Sequence, residues 1–158
     1  MAYMNQGTVA GCIFCDFPGR GVSAETLTVH LGLRAFVILN RFPYTSGHLM
    51  VVPYRHVATP VDLEPAEWAE IGDLVQRAVR ALEATYHPQG FNIGMNVGRA
   101  AGAGIADHCH MHVVPRWTGD NNFVPVLGET RVIPEALEVT HGRLVAAFAA
   151  LDAVEEVR

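Results

Sequence analysis

The chain has 158 residues, half of them apolar and 17% charged, which suits a packed core and excludes a disordered or low-complexity protein. A formal charge of −5, with every one of the 11 basic residues an arginine, argues against duplex nucleic acid as partner, since non-specific binding there needs clustered cations. No apolar run approaches the roughly 18 residues of a membrane span, Met1 to Gly11 lacks a secretory pattern, and three cysteines make no disulfide framework, so the expected setting is cytoplasmic.

Cys12 and Cys15 open the readable part of the chain as a C-x-x-C pair. Leu27 to Leu31 alternates weakly, and after Gly32 the β-rich run Ala35 to Leu39 ends at Asn40. Arg41 to Ser46, with Pro43 inside and Gly47 behind, reads as a turn. His48 to Val52 is then a second apolar strand stopped by Pro53, giving an antiparallel pair. Asp62 or Glu64 with Pro65 starts a helix, on which Trp68, Ile71, Leu74, Val75, Ala78, Leu82 and Tyr86 recur at helical spacing. Glu67, Glu70, Asp73, Arg77 and Arg80 fall mostly between them, and Pro88 and Gly90 end the helix.

Phe91 to Val97 reads as a strand, followed by a glycine-rich loop from Gly98 to Gly104. The run His108-Cys109-His110-Met111-His112 leads a strand over 108–115. Gly119 to Pro125 is a polar loop, and from about Pro134 a last helix carries Leu137, Leu144, Phe148 and Leu151. The order β-β-β-α-β-β-α predicts an α+β fold in one domain over 1–158: an antiparallel sheet of about five strands, one long helix and a C-terminal helix. Residues 1–10 are expected to be a short tail.

Side chains alternate along a strand, so His108, His110 and His112 are expected on one face, about 6.5–7 Å apart given a rise of about 3.3 Å per residue. Cys109, Met111 and Val113 then face a core, and burial is the better reading of Cys109. Three aligned imidazoles can bind a metal, or one can act as nucleophile while its neighbours fix its tautomer and supply a proton. A merely polar sheet face is the blander reading, and the adjacent glycine-rich loop speaks against it. Successive backbone N–H groups in such a loop form an anion cradle, and absent side chains let phosphate approach closely. His30, His87 and His141 have no constellation around them and read as surface or packing residues.

His108 to Val114 resembles the His-φ-His-φ-His-φ-φ signature of the histidine-triad (HIT) superfamily. Cys12 to Cys15, Asn40, Gly47 to Pro53, Arg55-His56 and Asn92 to Gly94 occur in the order that family expects, so the resemblance covers about Gly11 to Leu151. The segments Ala101 to His108 and Val114 to Phe123 are similar to bacterial members described as diadenosine tetraphosphate phosphorylases.

The resemblance implies that His110 attacks the α-phosphorus of a nucleotide, forming a nucleotidyl-histidine that water or phosphate then displaces. The products would be ADP and ATP for phosphorolysis of diadenosine tetraphosphate. A hydrolase of dinucleoside polyphosphates or nucleoside phosphoramidates releasing AMP, and a non-catalytic nucleotide-binding module, are the alternatives. Among the catalytic group, the carbonyl of His108 would hold the far nitrogen of His110, and His112 would contact phosphate. Asn40, His48, Asn96 and Gly104 fall at substrate-side positions. Cys12, Cys15, His56 and His108 would hold a structural zinc, since four protein ligands leave no open position. A small-molecule nucleotide substrate, no membrane partner, no organic cofactor and a homodimer are implied likewise. One departure stands out: Gly104-Ile105 occupies the place where many relatives carry a polar residue before the triad.

Overall fold

The computed structural model describes residues 11–120 and 135–155; the expected tail, the far part of the polar loop and Pro134, the expected start of the last helix, lie outside them. The elements are α1 (Ile13–Asp16), β1 (Thr28–Leu31), β2 (Ala35–Leu39), β3 (Leu49–Pro53), α2 (Pro65–Tyr86), β4 (Gly90–Met95), β5 (Met111–Arg116) and α3 (Leu137–Glu155), with short 3-10 turns between some of them. Five strands form one antiparallel sheet in the order β1-β2-β3-β5-β4, as the sequence predicts for the class. The four-residue α1 on the C-x-x-C segment was not expected.

Helix α2 packs against β2, β3, β5 and α3, and α3 against β1. Ile71, Leu74, Ala78, Ala81 and Leu82 of α2 meet Leu144 and Phe148 of α3 in the core beneath β2 and β3, both of which are buried along their whole length. The start of α2 is set chemically: Pro65 occupies the first helical position, and the Glu64 N–H donates to the Glu67 carboxylate at 2.8 Å. Its end is set by His87, which turns left-handed at φ 48° ahead of Pro88.

Two members of α2 depart from the sequence reading. Trp68 is half exposed rather than core. Arg77 is buried, and its guanidinium reaches Asp152 and, at 3.2 Å, the ring of His30, which stacks on Phe148. His30 and His141 are therefore packing residues; His141 donates Nε2–H to the Thr28 carbonyl at 2.8 Å. Among the described residues no helix is long and apolar enough to cross a membrane.

The expected strand over 108–115 is corrected: β5 begins only at Met111. The β3–β5 ladder runs Leu49↔Val113, Met50↔His112 and Val51↔Met111, so continuing it would set Pro53 opposite Cys109. Proline has no N–H to give to the ladder. The chain leaves the sheet there: the Cys109 N–H turns to the Val57 carbonyl at 2.7 Å, and the Pro53 carbonyl takes the ring of His108 at 2.9 Å. That break separates the three histidines into different surroundings.

Candidate functional site

Ile38, Met50 and His112 are neighbours across the ladder and share the sheet face on which a cavity of about 370 Å³ opens. The expected substrate-side residues Asn40, Asn96 and Gly104 line it together with His110 and His112. The glycine-rich segment reaches the wall through Gly102 and Gly104, and Gly102 holds a left-handed φ of 84° that disfavours any side chain.

His110 is buried, and its Nδ1 lies 2.9 Å from the His108 carbonyl. A carbonyl only accepts, so the proton is on Nδ1 and Nε2 keeps its lone pair. Burial pushes the His110 imidazole below the ordinary histidine value, against the raising effect of that carbonyl, and so favours the neutral ring a nucleophile needs.

His112 is fixed from behind. The Tyr44 N–H donates to Nδ1 of His48 at 3.2 Å, so the His48 proton sits on Nε2, 2.9 Å from Nδ1 of His112. His112 therefore accepts at Nδ1 and carries its own proton on Nε2. Burial, with the neighbouring His110, depresses His112 to about 4. The two rings stand edge to face with centroids 4.8 Å apart, one presenting a lone pair and the other an N–H.

His48 is 0% exposed and stands behind His112 rather than in the cavity wall. Asn40 does reach the wall, but its amide is also held, Oδ1 accepting the Phe42 N–H at 2.9 Å and Nδ2 lying 3.5 Å from His48. Gly47 brings His48 to this position: it turns at φ 82°, and a Cβ there would come within 2.7 Å of Leu82.

The other face of the triad segment meets α1. Cys12, Cys15, His56 and His108 offer donor atoms that all lie within 4.8 Å of one another, a group that could hold a metal ion. Sulfur and nitrogen ligands at about 2.3 and 2.0 Å from a tetrahedral zinc would be about 3.5 Å apart. The separations of Cys12 Sγ from His108 Nδ1 (3.4 Å), Cys15 Sγ from His56 Nδ1 (3.4 Å) and Cys15 Sγ from His108 Nδ1 (3.7 Å) match that edge.

The ligand tautomer fits as well. His108 gives its Nε2–H to the Pro53 carbonyl and so points an unprotonated Nδ1 at the thiols, while burial holds the ring down at about 4. Arg55, next to His56, is clamped by two hydrogen bonds to the Glu67 carboxylate, 2.8 and 2.6 Å long. Cys109 points elsewhere and is buried, and its thiol is pushed up to about 11, as its burial reading requires.

Two site residues escaped sequence reasoning. Phe14, fully buried between the two cysteines, packs its ring 5.4 Å from His108 and 5.0 Å from His110. Tyr44 covers His48 at 4.6 Å and lies nearly parallel to His112 at 6.3 Å. Phe14 had a faint signal, as the apolar residue inside C-x-x-C. Tyr44 had none, because its backbone N–H bond to His48 and its ring contacts are set by packing.

These features define a class: an α+β protein with one antiparallel sheet, paired imidazoles of fixed tautomer in a cavity, and a Cys/His donor cluster whose His108 lies two positions before the buried His110 ring. The HIT domain profile matches residues 25–119, and the chain belongs to the HIT family. Over 125 residues it is 45% identical to a Mycobacterium tuberculosis protein named AP-4-A phosphorylase, covering 79% of this chain and 64% of that protein. The chain thus spans less than two thirds of the length of that relative. A solved zinc-bound histidine triad family protein from Mycobacterium smegmatis is 32% identical, with a TM-score of 0.73, covering 91% of this chain and 97% of its own. An uncharacterised HIT-like protein of Mycobacterium tuberculosis is 35% identical over 109 residues, covering 69% of this chain and 74% of that protein.

Proposed function

We propose that the chain cleaves dinucleoside polyphosphates, converting diadenosine tetraphosphate and phosphate to ADP and ATP through a nucleotidyl-histidine. The observation that carries this reading is the tautomer of His110: with Nδ1–H spent on the His108 carbonyl, the Nε2 lone pair is free in a cavity lined by Asn96 and Gly104. The choice of substrate is supported by the Mycobacterium tuberculosis relative named AP-4-A phosphorylase.

In the first step Nε2 of His110 attacks the α-phosphorus, a P–N bond forms, and the bond to the bridging oxygen breaks so that ATP leaves as the anion. In the second, an oxygen of inorganic phosphate attacks the same phosphorus, the P–N electron pair returns to Nε2, and ADP departs. His112, with its proton on Nε2, donates to a phosphate oxygen in both steps. Asn40 contacts the ribose, and Asn96 and the amides near Gly104 hold the phosphates; His48 acts through His112.

The donor set of Cys12, Cys15, His56 and His108 suits a structural zinc, as the zinc-bound Mycobacterium smegmatis relative supports. A bound zinc supplies a fixed cross-link with no open coordination position. The same residue whose ring it holds, His108, supplies the carbonyl that sets the His110 tautomer. A homodimer is part of this reading, supported by β4, an edge strand with Asn92, Ile93 and Gly94 exposed. A cytoplasmic setting completes it.

The test incubates the protein with diadenosine tetraphosphate, with and without phosphate, beside His110→Ala. ADP and ATP formed only with phosphate, and abolished in the variant, is the expected result. AMP and ATP would mean hydrolysis, and binding without turnover would sink the enzymatic reading.

A further inference from the structure

The two imidazoles of the cavity stand between two aromatic shelves. On one side Phe14 lies 5.0 Å from His110; His110 lies 4.8 Å from His112; on the other side Tyr44 lies 6.3 Å from His112. The α1 shelf continues through Ile13 and Phe17, which also line the cavity. The second shelf continues through Phe42, which lines the cavity yet is 80% exposed, against 50% for Tyr44. A nucleotide with one base needs one shelf, whereas a substrate with a base at each end of a phosphate chain has a use for both.

The backbone that carries the second shelf is held in place. The Phe42 N–H donates to Asn40 Oδ1 at 2.9 Å, the Tyr44 N–H to His48 at 3.2 Å, and the Thr45 hydroxyl to the Pro115 carbonyl at 2.8 Å. A solvent-facing aromatic ring on a fixed backbone gains by being covered, and every nucleobase offers a π face to cover it. Arg41 adds a cation at the same rim: it lines the cavity, its guanidinium donates to the Glu25 carbonyl at 3.3 Å, and among the described residues no carboxylate is paired with it. A cation and apolar rings thus stand together at this rim, as the leaving half of a dinucleotide, with its phosphates and its base, requires.

We propose that Phe42, with Tyr44 and Arg41, forms a second nucleoside site that takes the base and outer phosphates of the leaving half of a dinucleoside polyphosphate. This rests on the reading of His110 as the nucleophile, with its attacked nucleoside on the α1 side. The site makes the protein selective for two-ended substrates over nucleotides that carry a single base.

The experiment compares diadenosine tetraphosphate with adenosine tetraphosphate, which differ by the second adenosine alone. Affinities are measured by calorimetry on His110→Ala, which stops turnover, with and without Phe42→Ala or Phe42→Trp. The dinucleotide is expected to bind about tenfold tighter than adenosine tetraphosphate, an advantage abolished by Phe42→Ala and kept by Phe42→Trp. Unchanged affinity of Phe42→Ala for adenosine tetraphosphate shows that the variant is folded. An advantage that survives Phe42→Ala, or an equal weakening of both ligands, overturns the second site. Turnover of the wild type distinguishes the two levels: a Phe42-dependent preference without turnover sinks the enzymatic reading alone, and turnover without such a preference sinks the second site alone.

Discussion

Replacing His48 by leucine tests the tautomer chain on which the site depends. His48 is wholly buried, accepts the Tyr44 N–H at 3.2 Å and donates to His112 at 2.9 Å. Leucine fills most of the space but leaves the part-buried Tyr44 N–H and His112 Nδ1 without partners, each costing about 1–3 kcal/mol. The expected loss is about 2–6 kcal/mol, or roughly 4–24 °C in melting temperature for a chain of this size. The second effect is electronic. The lost hydrogen bond stabilised neutral His112, and at about 1 kcal/mol its removal raises the His112 pKa by a little under about one unit. Burial, the larger cause of the depressed value near 4, remains. Nitrogen-15 NMR of the imidazoles reads both the tautomer and the titration. Wild-type His112 is expected to be protonated on Nε2 and bare on Nδ1 at neutral pH. A wild-type ring protonated on Nδ1, or a His48→Leu variant whose His112 titrates unchanged, would refute the reasoning.

Cys12→Ser is expected to remove most of any bound zinc, because one thiolate of the four-donor group is lost; elemental analysis of both proteins decides it, and metal-free wild type ends the zinc assignment. His112, held at about 4 when folded and near 6.5 when unfolded, makes stability pH-dependent: the unfolded chain takes up the proton first as pH falls. Stability is therefore intact above about pH 6.5 and declines towards about pH 4 by at most about 1.4 kcal/mol per unit. Urea midpoints across that window should fall less steeply in His112→Asn; parallel slopes would contradict the shift. Gly47→Ala should destabilise by about 1–3 kcal/mol, since its φ of 82° and a Cβ contact of 2.7 Å with Leu82 both resist a side chain; an unchanged melting temperature would count against this.

Local pattern was enough to read the β-β-β-α-β-β-α order, because strands and helices announce themselves by periodicity and by Pro, Gly and acidic end signals. Ala35–Leu39 coincides with the sequence reading to the residue, and α2 starts at Pro65, within the start that Asp62 or Glu64 with Pro65 marks. The donor group Cys12, Cys15, His56 and His108 was legible too, although from the resemblance and not from spacing, and the structure brings its members together.

Three things were not legible, each for a physical reason. The triad strand starts late because Pro53, on another strand, has no N–H to offer position 109, a fact of register that no local window contains. His48 looked like a ligand-side residue but faces His112, because side-chain partners 64 residues apart are set by packing. Arg77 falls on a nominally polar stripe and is buried all the same, since α3 lays Asp152 and Phe148 against it. The sequence by itself brought the histidines and cysteines forward as candidates for chemistry. Only the tertiary structure decided which nitrogen of each histidine carries its proton, because that depends on carbonyls and amides arriving from elsewhere in the chain.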